Sequence, residues 1–236
     1  MRDALVFNGA SNLDFQEVRS NVIRIPEVLL RVREAQIIWD KMSGLPMDLA
    51  TFIASEDSVF LGHIRLRSFA NAVVQVGLLD RYLKNYRLPE FIVGAINGDS
   101  PLKVAAGQMT FAQMIEQSPC VSNQATRSLK PIPGSGLEMP VLAGIQLVEY
   151  GIVRRSEQGY VPVDVKNKDI EKMVVEIVEG HDLERLVVIG PGHSIFGRKM
   201  RDLTARDVQV LESIELDPML TWFWSLLNED RLAVAN

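Results

Sequence analysis

The stretch from residue 91 to residue 111 constrains the fold more than any other part of this 236-residue chain. It opens with Phe91-Ile92-Val93, a short apolar run that is typical of a buried strand. Gly94 and Gly98 then indicate a tight turn, because glycine leaves room where other side chains would crowd the backbone. Ser100-Pro101 marks the start of a helix, since serine suits the N-cap and proline suits the first turn.

Strand, sharp turn and helix together form the frame of a nucleophile elbow, in which the pattern G-x-S-x-G presents a reactive serine at the turn. In this chain Ile96 stands at the serine position and Ala95 precedes it. The frame is therefore present without a nucleophilic atom. We interpret Asp99 and Ser100 as caps of the helix that follows, and no base lies beside Ser100 in the sequence.

Composition narrows the class of protein. Hydrophobic residues make up 47% of the chain and the net charge is −5, as in an ordinary globular protein. Lysine and arginine do not gather in runs, so we expect no nucleic-acid partner. The single cysteine, Cys120, excludes an intramolecular disulfide and a cysteine-ligated zinc site, and neither His63 nor His181 has a partner at metal-ligand spacing. We therefore predict no metal and no cofactor.

The sequence also predicts where the protein works. No apolar run approaches the roughly 18 residues needed to cross a bilayer, and the N-terminus does not have the pattern of a signal peptide. We therefore expect a cytoplasmic protein without a membrane partner.

Apolar periodicity predicts strands and helices that alternate along the chain. The predicted strands are Ala4–Phe7, Phe91–Val93, Ile152–Arg155, Tyr160–Val163 and Leu186–Ile189. The predicted helices cover residues 26–39, 48–54, 61–86, 110–115 and 168–179. Proline and glycine in residues 118–140 indicate a long loop or linker, and residues 141–150 fit either a helix or a strand. This alternation predicts an α/β fold with a mostly parallel sheet flanked by helices.

Several segments, taken in order, resemble the motifs of one enzyme family. Phe7-Asn8-Gly9-Ala10-Ser11-Asn12 is similar to F-P-G-Q-G-S-Q, and residues 94–98 are similar to G-H-S-L-G. Ala105-Ala106-Gly107 is similar to the end of A-x-x-x-A-G, and residues 186–192 are similar to a segment that contains E-V-G-P-G. The helix from Leu66 to Tyr86 is placed like the one that begins with Q-P-A-L. The chain thus resembles the malonyl-CoA:acyl-carrier-protein transacylase family over about residues 4–117 and 165–215.

The resemblance implies a domain organisation. It suggests one acyltransferase-like α/β domain over residues 1–236, built like the large α/β-hydrolase-like subdomain of that family. The family's small ferredoxin-like subdomain carries the catalytic histidine. Residues 118–164 are too few to build that subdomain and contain no histidine. We therefore predict that this segment is a variable insert or linker and that the small subdomain is reduced or absent.

The departures from the family all fall on positions that carry its chemistry. Ile96 replaces the nucleophilic serine and Ala95 replaces the histidine before it. Ala10 and Leu66 replace two glutamines, Arg67 replaces the proline of Q-P-A-L, and no arginine follows the predicted 110–115 helix before Arg127. The sequence therefore predicts no catalytic residues. We expect a catalytically inactive acyltransferase homologue in a fatty acid or polyketide pathway, which binds an acyl carrier protein, a synthase component or itself.

A second hypothesis keeps an enzymatic activity. Gly192-His193-Ser194 follows a predicted strand, and an acyltransferase or thioesterase could use Ser194 and His193 as a relocated nucleophile and base. Phe196 stands where an elbow requires glycine, so this loop also fits an ordinary Gly-Pro-Gly turn. A third hypothesis is a cleft that binds a CoA-like ligand without turning it over.

The C-terminal region contains a candidate contact surface. The aromatic residues Trp222, Phe223 and Trp224 are consecutive, so one helix cannot direct all of them inward. The sequence therefore predicts that the Trp222–Trp224 region contacts a protein partner or a second copy of the chain.

Overall fold

A six-stranded mixed sheet forms the centre of the structure, a computed structural model that describes residues 2–7, 18, 22–43, 46–55, 64–121, 129–131, 138–140, 148–190 and 208–212. Its strands lie in the order β6-β5-β2-β1-β7-β8. In chain order they are β1 (Asp3–Phe7), β2 (Phe91–Ala95), β5 (Tyr150–Ser156), β6 (Gly159–Val163), β7 (Arg185–Ile189) and β8 (Gln209–Glu212). A separate antiparallel pair, β3 (Leu129–Pro131) and β4 (Glu138–Pro140), lies between β2 and β5 in the sequence.

Strand direction divides the sheet into two parts. β2, β1, β7 and β8 run parallel to one another, whereas β5 pairs antiparallel with β2, and β6 pairs antiparallel with β5. The predicted α/β fold with its largely parallel sheet is therefore confirmed. The antiparallel edge is a hairpin, as predicted for residues 152–163.

Successive residues of the central strands enter two different cores, because side chains alternate across a sheet. On β1, Leu5 and Phe7 pack into the first core, whereas Ala4 and Val6 pack into the second. β2 and β7 follow the same alternation. The three central strands are thus buried on both faces, which explains why they read as unbroken apolar runs.

Helices cover both faces of the sheet. They are α1 (Pro26–Met42), α2 (Leu49–Ala54), α3 (Ile64–Asn85), α4 (Pro101–Ala105), α5 (Phe111–Gln117) and α6 (Ile170–Gly180), with a 3₁₀ turn at Val22–Arg24. Buried side chains of α1 to α5 belong to the first core, and those of α6 belong to the second. The apolar stripe predicted for α6 is confirmed, since Met173, Val174, Ile177 and Val178 are all buried.

Local capping sets where several helices begin. Asp48 accepts a hydrogen bond from the Thr51 amide at the start of α2, and Thr110 forms a capping box with Gln113 at the start of α5. Asp169 caps α6 in the same way through the Lys172 amide. Such caps satisfy amides that have no partner within the helix.

Two sequence predictions are refined by the structure. Residues 118–140 contain the short β3–β4 pair in addition to turns, and residues 141–147, left open between helix and strand, lie outside the described ranges. The later part of the predicted insert, Tyr150–Val163, belongs to the main sheet as β5 and β6. Among the helices described here, none is long and apolar enough to cross a membrane.

Candidate functional site

Three parallel strands end at one edge of the sheet. β1 lies between β2 and β7, and the three run in the same direction to Phe7, Ala95 and Ile189. From α3, the buried Gln75 amide donates to the Ile189 carbonyl at 3.2 Å and ties the helix to this edge. In α/β proteins, ligands bind outside the carboxyl ends of the strands, at the point where the strand order reverses. This edge is therefore the candidate site.

Ile96 occupies the turn that follows β2. Its amide donates to the Glu149 carbonyl at 2.9 Å, and the Glu149 amide in turn donates to Asn97 Oδ1 at 2.9 Å. The Ile96 side chain, 37% exposed, lies against Gly151, where an added Cβ would be only 2.7 Å from Ile96 Cγ2. The turn is thus closed by the chain that enters β5, and only glycine at position 151 leaves room for Ile96.

The backbone of this turn differs from a nucleophile elbow. An elbow holds its nucleophile on a strained turn directly before a helix. Within the described ranges, no residue other than glycine has a positive φ, and the positive value in this turn belongs to Gly98, at 62°. Ser100 follows as the N-cap of α4, where its hydroxyl accepts from the Lys103 amide at 3.3 Å and donates to the Ala95 carbonyl. The predicted capping role of Ser100 is confirmed.

A small pocket lies beside the turn, with room for about one water molecule. It is lined by the ends of β1 and β2, by one face of α3, and by Asp99 and Tyr150, and its residues are Phe7, Ser68, Ala72, Gln75, Ala95, Asp99, Pro101 and Tyr150. A pocket of this size does not enclose a cofactor.

Asp99 contributes a carboxyl group to the pocket. Burial raises the pKa of the Asp99 carboxyl from 3.8 to about 6, although a hydrogen bond from Ser118 and the charge of Arg65 act in the opposite direction. Its Oδ1 atom is buried and accepts no hydrogen bond. A carboxyl placed this way is protonated in part near neutral pH.

The thiol of Cys120 lies next to this carboxyl. Cys120 is buried, its amide donates to Ser118 Oγ at 3.2 Å, and its Sγ contacts the Arg65 carbonyl at 3.5 Å. Burial, with the nearby charge of Asp99, raises the pKa of the Cys120 thiol well above its usual value. Because the thiolate is the reactive form, Cys120 is a poor nucleophile here.

The structure locates only some of the residues singled out in the sequence. Ala95 and Ile96 lie at the end of β2 and in its turn, whereas His193, Ser194 and the Trp222–Trp224 region fall outside the described ranges. His181 ends α6, with its ring 4.6 Å from that of Phe91. Within the described part of the chain, no group of three His, Cys, Asp or Glu side chains could hold a metal ion.

Sequence reasoning missed the cluster around Asp99. The sequence predicted Asp99 as a helix cap and gave no role to Arg65. In the structure the Asp99 carboxyl accepts from Ser118, and Arg65 is half-buried with its charge near that carboxyl. The one signal in the sequence was Ser118-Pro119-Cys120, where the proline ends α5. That signal does not indicate which distant residues Ser118 contacts.

Comparisons with known proteins identify the fold. Neither the models of known protein families nor the curated proteins give a match to this sequence. Among solved structures, the chain is similar to a malonyl-CoA:ACP transacylase from Synechocystis sp. PCC 6803, with 12% identity and a TM-score of 0.56 over 90% of this chain and 97% of that one. It is also similar to the malonyl-CoA–acyl carrier protein transacylase from Clostridium perfringens, with 13% identity and a TM-score of 0.51 over 100% of both chains. The chain therefore has an acyltransferase-like fold.

Proposed function

We propose that this protein is a catalytically inactive acyltransferase homologue that acts by binding a protein partner in a fatty acid or polyketide pathway of the cytoplasm. The observation that carries the proposal is the closed turn after β2, in which Ile96 occupies the place of a nucleophile. The solved structures with this fold are transacylases that act with an acyl carrier protein. The partner we propose first is therefore an acyl carrier protein, with a synthase component as the alternative.

The chemistry around the turn supports inactivity. Acyl transfer requires an activated nucleophile, a base that takes its proton, and donors for the oxyanion. Ile96 offers no nucleophilic atom, the Ser100 hydroxyl is engaged as a cap, and the Cys120 thiol is buried. The Asp99 carboxyl in the pocket has Ser118 rather than a histidine as its hydrogen-bonding partner.

The same turn offers a contact surface. Ile96 and Val148, on adjoining stretches of chain, are exposed apolar residues at the carboxyl edge, and Glu149 between the turn and β5 is exposed as well. Exposed apolar groups rimmed by polar ones are typical of protein interaction sites. We place the carrier contact at this edge.

Calorimetric titration with a purified bacterial holo acyl carrier protein tests this proposal. We expect saturable binding with a Kd in the range of about 1–100 μM, as in transient encounters. Ile96→Glu adds a charge to the proposed surface, and we expect it to weaken binding by about tenfold or more. Leu30→Glu is the matched control, because Leu30 is 62% exposed on α1 and should leave the affinity unchanged. Absence of binding, or equal affinities in the three proteins, would contradict the proposal.

One structural observation supports the enzymatic alternative. β7 ends beside β1 at the carboxyl edge, and Gly192-His193-Ser194 follows it in the sequence. The alternative is an acyltransferase or thioesterase that uses Ser194 as nucleophile and His193 as base. This alternative requires an acyl group covalently bound to Ser194, so the Ser194→Ala variant would form no acyl adduct.

Self-association through the Trp222–Trp224 region is a further proposal, which sedimentation of the Trp222→Ala variant would test.

A further inference from the structure

The outer face of α1 presents two large apolar side chains to solvent. Leu30 is 62% exposed, and Ile37, further along the helix, is 54% exposed. Residues that are two turns apart lie on the same side of a helix, so these two side chains form one short apolar ridge. The buried Val32 and Trp39 belong to the opposite side of α1, which packs into the first core.

Four charged residues flank Ile37 in a regular pattern. Because an α-helix has about 3.6 residues per turn, Arg33 and Asp40 lie to one side of the ridge. Glu34 and Lys41 lie to the other side for the same reason. Before Ile37 the positive charge is thus on the first side and the negative charge on the second. After Ile37 the two signs are exchanged.

These charges are accessible to a second molecule. Arg33, Asp40 and Lys41 are exposed. The Glu34 side chain pairs with Arg31 at 2.8 Å and is still 45% exposed. Within the described ranges, neither Arg33 nor Lys41 takes part in an ion pair, so both cations can meet a carboxylate from outside the chain.

We propose that α1 is the contact of a symmetric homodimer, in which the apolar ridges of two copies pack against each other. A symmetric contact joins the same patch of both copies, so the patch must be complementary to itself. The charge pattern meets this condition in both directions of pairing. In a parallel pair, Arg33 faces the partner's Glu34, and Asp40 faces the partner's Lys41. In an antiparallel pair about Ile37, Arg33 faces the partner's Asp40, and Glu34 faces the partner's Lys41.

The apolar ridge supplies the centre of the contact. Ile37 packs against its own copy in both directions, and in the parallel direction Leu30 does so as well. One helix from each copy buries less area than a typical stable interface, so we expect a weak dimer with a Kd of about 10–100 μM. The dimer does not depend on the proposed carrier contact, because α1 contributes no residue to the turn after β2 or to the pocket beside it.

Equilibrium sedimentation over a range of protein concentrations tests the apolar centre. Ile37→Glu places two like charges against each other on the symmetry axis, and we expect it to raise the dimer Kd about tenfold or more. Val161→Glu is the matched control, because Val161 is 45% exposed on the edge strand β6 and lies outside α1. Its dimer Kd should equal that of the wild-type protein.

A charge exchange tests the flanks without regard to the direction of pairing. The acidic variant, Arg33→Glu/Lys41→Glu, and the basic variant, Glu34→Lys/Asp40→Lys, each carry charges of one sign on the contact face. We expect each variant alone to be monomeric and their equimolar mixture to form a heterodimer, because opposite charges then face each other at every position. This recovery also shows that both variants fold.

The matched control for net charge is Glu176→Lys/Glu179→Lys, which makes the same charge change on α6, the helix on the other face of the sheet. Its mixture with the acidic variant should sediment as the sum of the two separate proteins.

Three results would overturn the proposal. The first is a wild-type protein that stays monomeric up to about 1 mM, far above the expected Kd. The second is a dimer that Ile37→Glu leaves unchanged, including one that only Trp222→Ala disrupts. The third is an equimolar mixture of the acidic and basic variants that remains monomeric.

Discussion

At position 96 a branched apolar side chain occupies the turn that follows β2. Its amide is bonded to Glu149 and its side chain packs on Gly151, so both the backbone and the side chain are committed to closing the turn. The Ser100 hydroxyl, four residues further along the chain, has two hydrogen bonds of its own. These contacts explain how the turn after β2 is held closed.

Glu27 on α1 gives a test at the residue scale. It is 5% exposed, and both Lys84 and Arg81 of α3 form ion pairs with it. Burial raises the pKa of the Glu27 carboxyl, but the Lys84 hydrogen bond and the two positive charges outweigh it, and the net effect is a lowered pKa. We expect Glu27→Gln to lower the free energy of unfolding at pH 7 by about 1–3 kcal/mol, measured by urea denaturation.

The pH dependence of this effect follows from the direction of the shift. A carboxyl whose pKa is lowered by folding stabilises the protein above its unfolded pKa, near 4.5, and this contribution is lost as pH falls through the folded pKa. The difference between wild type and Glu27→Gln should therefore shrink as the pH is lowered from 5 to 3. Glu116→Gln, on the exposed face of α5, should leave the stability within about 0.5 kcal/mol. A difference that stays constant over this pH range would contradict the proposed role of Glu27.

At the scale of elements, α1 and α3 approach each other closely at Gly77. A Cβ on Gly77 would lie 2.5 Å from the Val28 Cα atom, which is a backbone atom and cannot turn away. Nearby, Arg31 of α1 bonds Asp80 of α3 at 2.6 Å and lies over the ring of Phe111 of α5. The three helices are thus fixed to one another by a close backbone contact and a shared arginine.

We expect Gly77→Ala to destabilise the protein by about 1–3 kcal/mol, because the helices must separate to admit the methyl group. The gain in helix propensity, up to about 1 kcal/mol, offsets only part of this cost. Gly180→Ala is the matched control, because a Cβ at the end of α6 meets no atom within 4 Å. Thermal unfolding measures both variants, and equal melting temperatures for Gly77→Ala and Gly180→Ala would contradict the close contact.

The local elements could be predicted from the sequence, because their causes are local. Apolar runs placed β1, β2 and β7, and Ser100-Pro101 placed the start of α4. The periodicity of apolar residues does not reveal the order of the strands in the sheet. β5 pairs with β2 through Val153 and Ile92, which are far apart in the chain, and no short pattern encodes that pairing.

At the scale of the whole molecule, the same limit applies to the candidate site. The sequence could predict the loss of an elbow serine, because the motif fixes the position at which Ile96 stands. The cluster around Asp99 was not visible, because Arg65, Asp99 and Ser118 come from three segments that meet only after folding. Burial changes the chemistry of such groups, and burial of a polar side chain is the property that sequence patterns predict least well.

Intact-mass analysis after incubation with malonyl-CoA tests the central claim most directly. A transacylase nucleophile would retain the malonyl group as an ester, whereas a closed turn with Ile96 in place of the nucleophile offers no atom to acylate. We predict an unchanged mass for the wild-type protein and for Ser194→Ala. A stoichiometric malonyl adduct on the wild-type protein that is lost in Ser194→Ala would contradict the account and establish the enzymatic alternative.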